Sequence, residues 1–210
     1  MKILLNCAMS VDGKIALPSR KETAISNRED LERVHRIRSG VDAILVGIGT
    51  ILTDDSKLTV SEKYVKVVKQ PLRIVLDSRG RTPPTARVLN GQAKTLIVTN
   101  ESCKKTFSGA DVARFGKDRV DLKALMGHLE KSGIGTLLVE GGETVMWSFF
   151  RQGLVDEMSV FVGSMIIGGT TSPTLAGGEG FGSLEDVTRL RFAGCEQLGD
   201  GVLLRYEVVK

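Results

Sequence analysis

Histidine, tryptophan and cysteine are scarce in this chain, and the scarcity excludes whole classes of chemistry. Its two histidines, His35 and His128, and its three cysteines, Cys7, Cys103 and Cys195, stand far apart, with no Cys-x-x-Cys pair. That number and spacing supply neither a disulfide framework nor a zinc site, so no metal is expected. No apolar run has the length of a membrane span, and residues 1–7 are too short for a signal peptide's apolar core. With Asp12 and Lys14 close behind, the opening reads as the first strand of a cytoplasmic protein. The net charge of +4 is dispersed, without a basic run or interleaved aromatics. Nucleic-acid binding is therefore not expected, whereas an anionic small molecule suits the balance. No repeat or low-complexity linker interrupts the 210 residues, so a single domain over 1–210 is the economical expectation.

What is present is alternation. Residues 3–9 read as a buried strand, with Asp12-Gly13 as the turn after it. Ser26 and Glu29 have capping-box spacing and predict a helix in which Leu31, Val34 and Ile37 recur until Gly40, with Arg33, Arg36 and Arg38 on its exposed side. Residues 43–46, 72–76 and 95–99 read as further strands, and a short helical turn follows Gly47-Ile48-Gly49-Thr50. Asp121 caps a helix whose Leu122, Leu125, Met126 and Leu129 fill the i, i+3, i+4 and i+7 positions; Gly133 stops it before a strand at 136–139. Strands alternating with helices predict a largely parallel sheet. Beyond Gly153 the pattern changes to a strand at 155–162, a glycine-rich stretch at 168–182, and two strand-like segments facing each other across Gly199-Asp200-Gly201. The expected class is α/β, a mixed sheet flanked by helices and closed by an antiparallel hairpin.

The most informative stretch is Thr136-Leu137-Leu138-Val139-Glu140-Gly141-Gly142-Glu143-Thr144, followed by the apolar residues 145–150. An apolar strand here delivers a carboxylate and two glycines to a helix start, whose unpaired N–H groups and positive dipole end favour an anion. Glu140 reads either as a proton donor or sugar-hydroxyl anchor, or as a structural acid bonded to backbone. Gly141 and Gly142 equally suit close packing of helix on sheet. Asp77-Ser78-Arg79-Gly80-Arg81 leaves a strand at its carboxyl end, the edge where parallel sheets bind ligands. A hydroxyl and two guanidinium groups there can grip a phosphate, or form a solvated basic turn. Gly47-Ile48-Gly49-Thr50 is a fragment of a dinucleotide fingerprint with Leu52 at the third glycine position, and reads equally as a tight turn near Asp54 and Asp55. Lys14 is either solvent-facing or functional. His35 and His128 lack partners in sequence and receive no role, and Trp147, Phe149 and Phe150 read as core.

Taken in order, Met9-Ser10-Val11-Asp12-Gly13-Lys14-Ile15-Ala16, Val46-Gly47-Ile48-Gly49-Thr50-Ile51-Leu52-Thr53-Asp54-Asp55, Arg73-Ile74-Val75-Leu76-Asp77-Ser78, Val139-Glu140-Gly141-Gly142 and Gly153-Leu154-Val155-Asp156-Glu157 resemble one family. It is the reductase of riboflavin biosynthesis, found as the carboxyl-terminal domain of the bacterial deaminase-reductase and as a stand-alone archaeal and fungal enzyme. The resemblance runs over nearly the whole chain. It implies a dihydrofolate-reductase-like fold, a mixed twisted sheet flanked by helices with an antiparallel C-terminal hairpin, and a homodimer. It also implies reduction of 2,5-diamino-6-ribosylamino-4(3H)-pyrimidinone 5′-phosphate to its ribitylamino product by NADPH, with NADH used by some archaeal members. No His-x-Glu with a following Pro-Cys-x-x-Cys occurs, so the zinc deaminase half is absent.

By this resemblance Thr50, Asp54, Asp77, Ser78, Arg79, Gly141, Gly142, Glu143 and Thr144 touch the cofactor, and Lys14, Arg38, Leu58 and Glu140 fall where the family meets its substrate. Lys14 and Glu140 are the expected catalytic pair, Lys14 polarising an oxygen or donating a proton and Glu140 orienting hydroxyls. Two positions depart from the family: Ser61 stands where bacterial members often carry arginine, and Glu143 where many relatives have a small residue. Two rivals remain, a true dihydrofolate reductase and a non-catalytic nucleotide-binding module on the same fold. The basic face of Arg33, Arg36 and Arg38 speaks against the first.

Overall fold

The computed structural model describes residues 1–20, 23–66 and 69–210. Along the chain run β1 (Lys2–Ser10), α1 (Arg28–Ser39), β2 (Ala43–Gly47), α2 (Ile48–Asp54), β3 (Leu72–Leu76), β4 (Thr95–Thr99), β5 (Asp111–Arg114), α3 (Leu122–Lys131) and β6 (Thr136–Gly141). Then follow α4 (Glu143–Arg151), β7 (Glu157–Gly163), β8 (Leu190–Leu198) and β9 (Gly201–Val208). The chain forms two compact units: Met1 with residues 35–138, and residues 2–34 with 139–210.

The first unit is a parallel array. β2 pairs with β3 from Ala43↔Leu72, β3 with β4 from Arg73↔Thr95, and β4 with β5 from Leu96↔Asp111. Every residue of β2 and β4 is buried, as expected where strands are covered on both faces and read as continuous apolar runs. α3 covers this core with Leu122, Leu125, Met126 and Leu129, and the Asp121 carboxylate caps it by accepting the Ala124 N–H at 3.0 Å. One buried charge breaks the apolar pattern: the Arg73 guanidinium donates to the carbonyls of Lys57 (3.2 Å) and Ala93 (2.6 Å) and to Asn90 Oδ1 (3.0 Å). β5 has no counterpart in the sequence reading, because four residues with Asp and Arg at their ends carry no apolar periodicity.

The second unit changes direction. β1 and β7 are parallel from Leu4↔Glu157, whereas β7 with β9 and β9 with β8 are antiparallel, with a register shift between Phe192 and Gly194. This is the expected antiparallel ending. Among the buried residues are Leu5, Phe161, Leu203 and, from α4, Met146, Phe149 and Phe150. Trp147 lies half-buried, edge-on to Phe181 with ring centroids 4.8 Å apart.

α1 departs from its prediction at both its cap and its face. Asn27, one residue later than expected, caps the helix: its Oδ1 accepts the Asp30 N–H at 2.9 Å, while Ser26 Oγ donates to the Asp30 carboxylate at 2.5 Å. Leu31 is exposed and Val34 and Ile37 are only half-buried; the buried residue of the helix is Asp30. Arg33, expected on the exposed side, turns inward and donates to Asp30 Oδ1 at 2.8 Å and to Asn6 Oδ1 at 2.7 Å. The pairing explains the inversion, since a buried carboxylate is tolerated when a guanidinium and a hydroxyl satisfy it.

Candidate active site

In the first unit, β2 runs directly into α2, so Gly47, Ile48, Gly49 and Thr50 form a tight strand-to-helix junction with no side-chain cap. Thr50 and Asp54 lie half-buried on α2, and Asp55 closes the helix in the left-handed region (φ 43°), its carboxylate accepting the Arg87 N–H at 2.8 Å. At the carboxyl end of β3 the turn 77–82 is organised from inside. Asp77 is 0% exposed, and its Oδ2 accepts both the N–H (2.7 Å) and the hydroxyl (2.8 Å) of Thr82. The Gly80 N–H returns to the Asp77 carbonyl at 3.0 Å, with Gly80 at φ 64°. Among the described residues Asp77 Oδ1 has no hydrogen-bond partner, the Arg81 Nε lying 3.7 Å away. Ser78 Oγ accepts the Val120 N–H at 3.3 Å, and Arg79 projects from the turn as an exposed cation.

Sequence reasoning missed one participant of this turn. Lys105 Nζ donates to the Gly80 carbonyl at 2.7 Å, and a Cβ on Gly80 would fall 2.9 Å from Cys103 Sγ and from Lys105 Cδ. Gly80 is thus needed for its positive φ and for close approach to these side chains. The remaining first-unit candidates are Arg38, whose Nη1 donates to the Thr59 carbonyl at 3.3 Å, and Leu58, a buried residue at φ 51°.

In the second unit β6 ends in Glu140 and Gly141, and α4 begins at Glu143 after the single residue Gly142. Glu140 is half-buried beyond the buried run 137–139. Gly141 has φ 119°, open only to glycine, and a Cβ there would crowd Met146 Cε at 3.2 Å; its peptide bond to Gly142 is cis. Gly142 is the N-cap of α4 and no side chain caps the first turn, which leads with the amides of Glu143 and Thr144. Glu143 itself is turned aside. Its Oε1 takes the Arg20 guanidinium at 2.7 Å and its Oε2 accepts the Thr174 N–H at 3.2 Å. The carboxylate is therefore neutralised within the protein, which removes the repulsion that an unpaired acid at a phosphate-binding helix start would exert. Thr144 is exposed at the same helix start.

Lys14 sits half-buried opposite Thr174 in an isolated bridge, and the Ile15 N–H reaches the Pro173 carbonyl at 2.9 Å. Thr174 thus joins the Lys14 and Glu143 positions. The turn before Lys14 is closed by Asp12, whose carboxylate accepts the Ser10 hydroxyl at 2.6 Å and the N–H groups of Ile167 (3.0 Å) and Gly168 (2.7 Å). The Ser10 hydroxyl, helped by these two amides, holds the Asp12 carboxyl down at about 2. Arg20 and Thr174 were not singled out from sequence; only the glycine density of 168–182 hinted at close packing there. Gly177 and Gly178 show what it serves, for a Cβ on either would collide with Glu143 or with the Trp147 ring.

Among the described residues no group of His, Cys, Asp and Glu could hold a metal ion, and no helix is long and apolar enough to cross a membrane. Cys7 is buried, and burial pushes its thiol up to about 12. The candidate residues are carboxylates, a lysine and backbone amides, carried on a mixed α/β scaffold. The chain belongs to the family described as the RibD C-terminal domain, whose model matches residues 1–204. It is 42% identical over 211 residues to the 2,5-diamino-6-ribosylamino-4(3H)-pyrimidinone 5′-phosphate reductase of Archaeoglobus fulgidus, covering 95% of this chain and 94% of that protein. Acinetobacter baumannii RibD superimposes with a TM-score of 0.86 at 25% identity, over 100% of this chain and 58% of that one. The fold is also that of dihydrofolate reductase: the Enterococcus faecalis enzyme matches with a TM-score of 0.57 at 10% identity, over 100% of this chain and 97% of that one.

Proposed function

We propose that this chain, as a single domain over residues 1–210, reduces the ribosyl group of 2,5-diamino-6-ribosylamino-4(3H)-pyrimidinone 5′-phosphate to the ribitylamino product in riboflavin biosynthesis. The observation that carries the reading is the uncapped start of α4, reached through Gly141 and Gly142 directly after the half-buried Glu140. This is an acid beside a phosphate-ready helix end, in a family of reductases. The donor set fits a nicotinamide nucleotide, since no side chain caps the first turn of α4 and the competing Glu143 carboxylate is already paired with Arg20.

NADPH, when bound, supplies the hydride that reduces the anomeric carbon of the opened ribosylamine. The amides of Glu143 and Thr144 would hold its pyrophosphate, and Thr50, Asp54 and Asp77 are the further cofactor-binding residues of this reading. Ser78 and Arg79, on the turn braced by Lys105, would take the ribose 2′-phosphate and so favour NADPH over NADH. Arg38 would meet the substrate, with the buried Leu58 shaping the backbone of the segment that does so. Lys14 holds a proton at the oxygen or nitrogen that gains electron density, and Glu140 orients the sugar hydroxyls. Exposed Leu190 and Phe192 on β8 suit a homodimer, and the buried, unpaired Cys7 and Cys103 suit the cytoplasm.

The test is the fall in reduced-nicotinamide absorbance on adding the pyrimidinone phosphate, with NADPH and NADH compared and dihydrofolate as a parallel substrate. Oxidation dependent on the pyrimidinone phosphate is expected, with little on dihydrofolate. Turnover of dihydrofolate alone would replace this reading with its nearest rival.

A further inference from the structure

Four of the five residues 57–61 of the first unit, all but Leu58, have backbone groups gripped by side chains from elsewhere in that unit. Arg73 donates to the Lys57 carbonyl at 3.2 Å and Arg38 to the Thr59 carbonyl at 3.3 Å. Gln70 bonds Val60 twice, its Oε1 accepting the N–H at 2.8 Å and its Nε2 donating to the carbonyl at 2.9 Å. His35 Nδ1 accepts the Ser61 N–H at 3.1 Å, and the ring stacks on Tyr64 with centroids 4.7 Å apart and planes 10° from parallel. Within this grip Leu58 is 1% exposed and holds φ 51°, a left-handed conformation unfavourable for a residue other than glycine. Such a residue persists only where its surroundings over-determine it, and such places cluster at ligand clamps.

We propose that His35, with Gln70, is a positioning residue for substrate recognition: it fixes the backbone course of 58–61 so that this segment meets the substrate without first having to be ordered. The proposal rests on the reading that Arg38 and the segment 58–61 form part of the substrate site. Nδ1 must carry a lone pair to accept the Ser61 amide, which places the ring proton of neutral His35 on Nε2. Removing that acceptor frees an amide and lets the segment sample other conformations, so ordering is then charged against binding rather than against folding. The chemical step, which uses other residues, is left alone.

The experiment compares wild type with His35→Leu, His35→Asn and Gln70→Leu, measuring kcat, the KM for the pyrimidinone phosphate, the KM for NADPH, and hydrogen exchange at the Ser61 amide. Asparagine can offer its Oδ1 near the position of Nδ1. His35→Leu is expected to raise the substrate KM about tenfold, with kcat and the NADPH KM within about twofold, and to speed exchange at Ser61. His35→Asn should recover most of both, and Gln70→Leu should move the substrate KM in the same direction. A substrate KM unchanged in either leucine variant, equal rises in both KM values, or an asparagine variant as impaired as the leucine one would overturn the proposal while leaving the activity standing. A wild-type protein inactive on the pyrimidinone phosphate would overturn the activity and the proposal together. Should His35→Leu fail to fold, His35→Asn and Gln70→Leu carry the same decision.

Discussion

The segment 57–61 of the first unit and the segment 165–178 of the second reach order by opposite means. The first is held by long side chains that satisfy its backbone, from Arg38, Gln70, Arg73 and His35. The second is held by the absence of side chains, with Gly177 and Gly178 pressed against Glu143 and Trp147, and by backbone amides of 167 and 168 that converge on Asp12. The first arrangement is damaged by truncation and the second by addition. The contrast also divides the work proposed here. Of the proposed site residues, Arg38, Ser78 and Arg79 lie in the first unit, and Lys14, Glu140, Glu143 and Thr144 in the second.

The largest effects should therefore come from the two residues of the second unit proposed to act in the chemistry. Lys14→Met and Glu140→Gln are each expected to lower kcat by about a hundredfold or more, with NADPH affinity within about threefold. Steady-state kinetics beside cofactor titration checks this, and unchanged turnover in either variant removes that residue from the chemistry. Next comes the rule about addition. Gly178→Ala should destabilise by about 1 to 3 kcal/mol, because its methyl would overlap Cδ1, Nε1 and Cγ of Trp147. Denaturant unfolding reads the difference, and a neutral alanine would show that the Trp147 ring yields freely.

Smaller changes sharpen the first unit's role. Arg79→Ala removes an exposed cation beside Ser78 and should raise the KM for NADPH about tenfold while leaving that for NADH alone. Equal shifts for both cofactors would move the 2′-phosphate grip elsewhere. The smallest effect is a pH dependence. Asp12 is held at about 2 against an ordinary 3.8, so its hydrogen bonds stabilise the fold above the unfolded value and that contribution fades as pH falls towards 2. Melting temperatures of wild type and Asp12→Asn should thus differ at neutral pH and converge between about pH 4 and pH 2. A gap that stays constant with pH would show that the Asp12 charge is immaterial.

What could be read in the sequence follows the same divide. β3, β4 and α3 were legible because their signals are local, an apolar run bounded by turn residues or a cap followed by regular leucines. The Glu140-Gly141-Gly142 junction was legible for the same reason, and the structure places it at the start of α4 as expected. α1 was misread on one face because its buried side is ionic. Asp30 and Arg33 are hydrophilic in any periodicity count, and their partner Asn6 lies 27 residues from Arg33. The grip on 57–61 was invisible because its contacts span 10 to 26 residues and involve His35, which offers no local pattern. Glu143 was seen as an oddity at a helix start, but its neutralisation by Arg20 crosses 123 residues and needed coordinates.

The most direct measurement of the central claim follows the hydrogen itself. Reduced nicotinamide labelled with deuterium at C4 is incubated with the chain and the pyrimidinone phosphate, and the product is analysed by mass spectrometry and NMR. The account predicts one deuterium at C1′ of a newly formed ribityl chain, from label on one face of the nicotinamide only. Label in the pyrimidine ring, or oxidised cofactor with an unlabelled ribosyl compound, would contradict it.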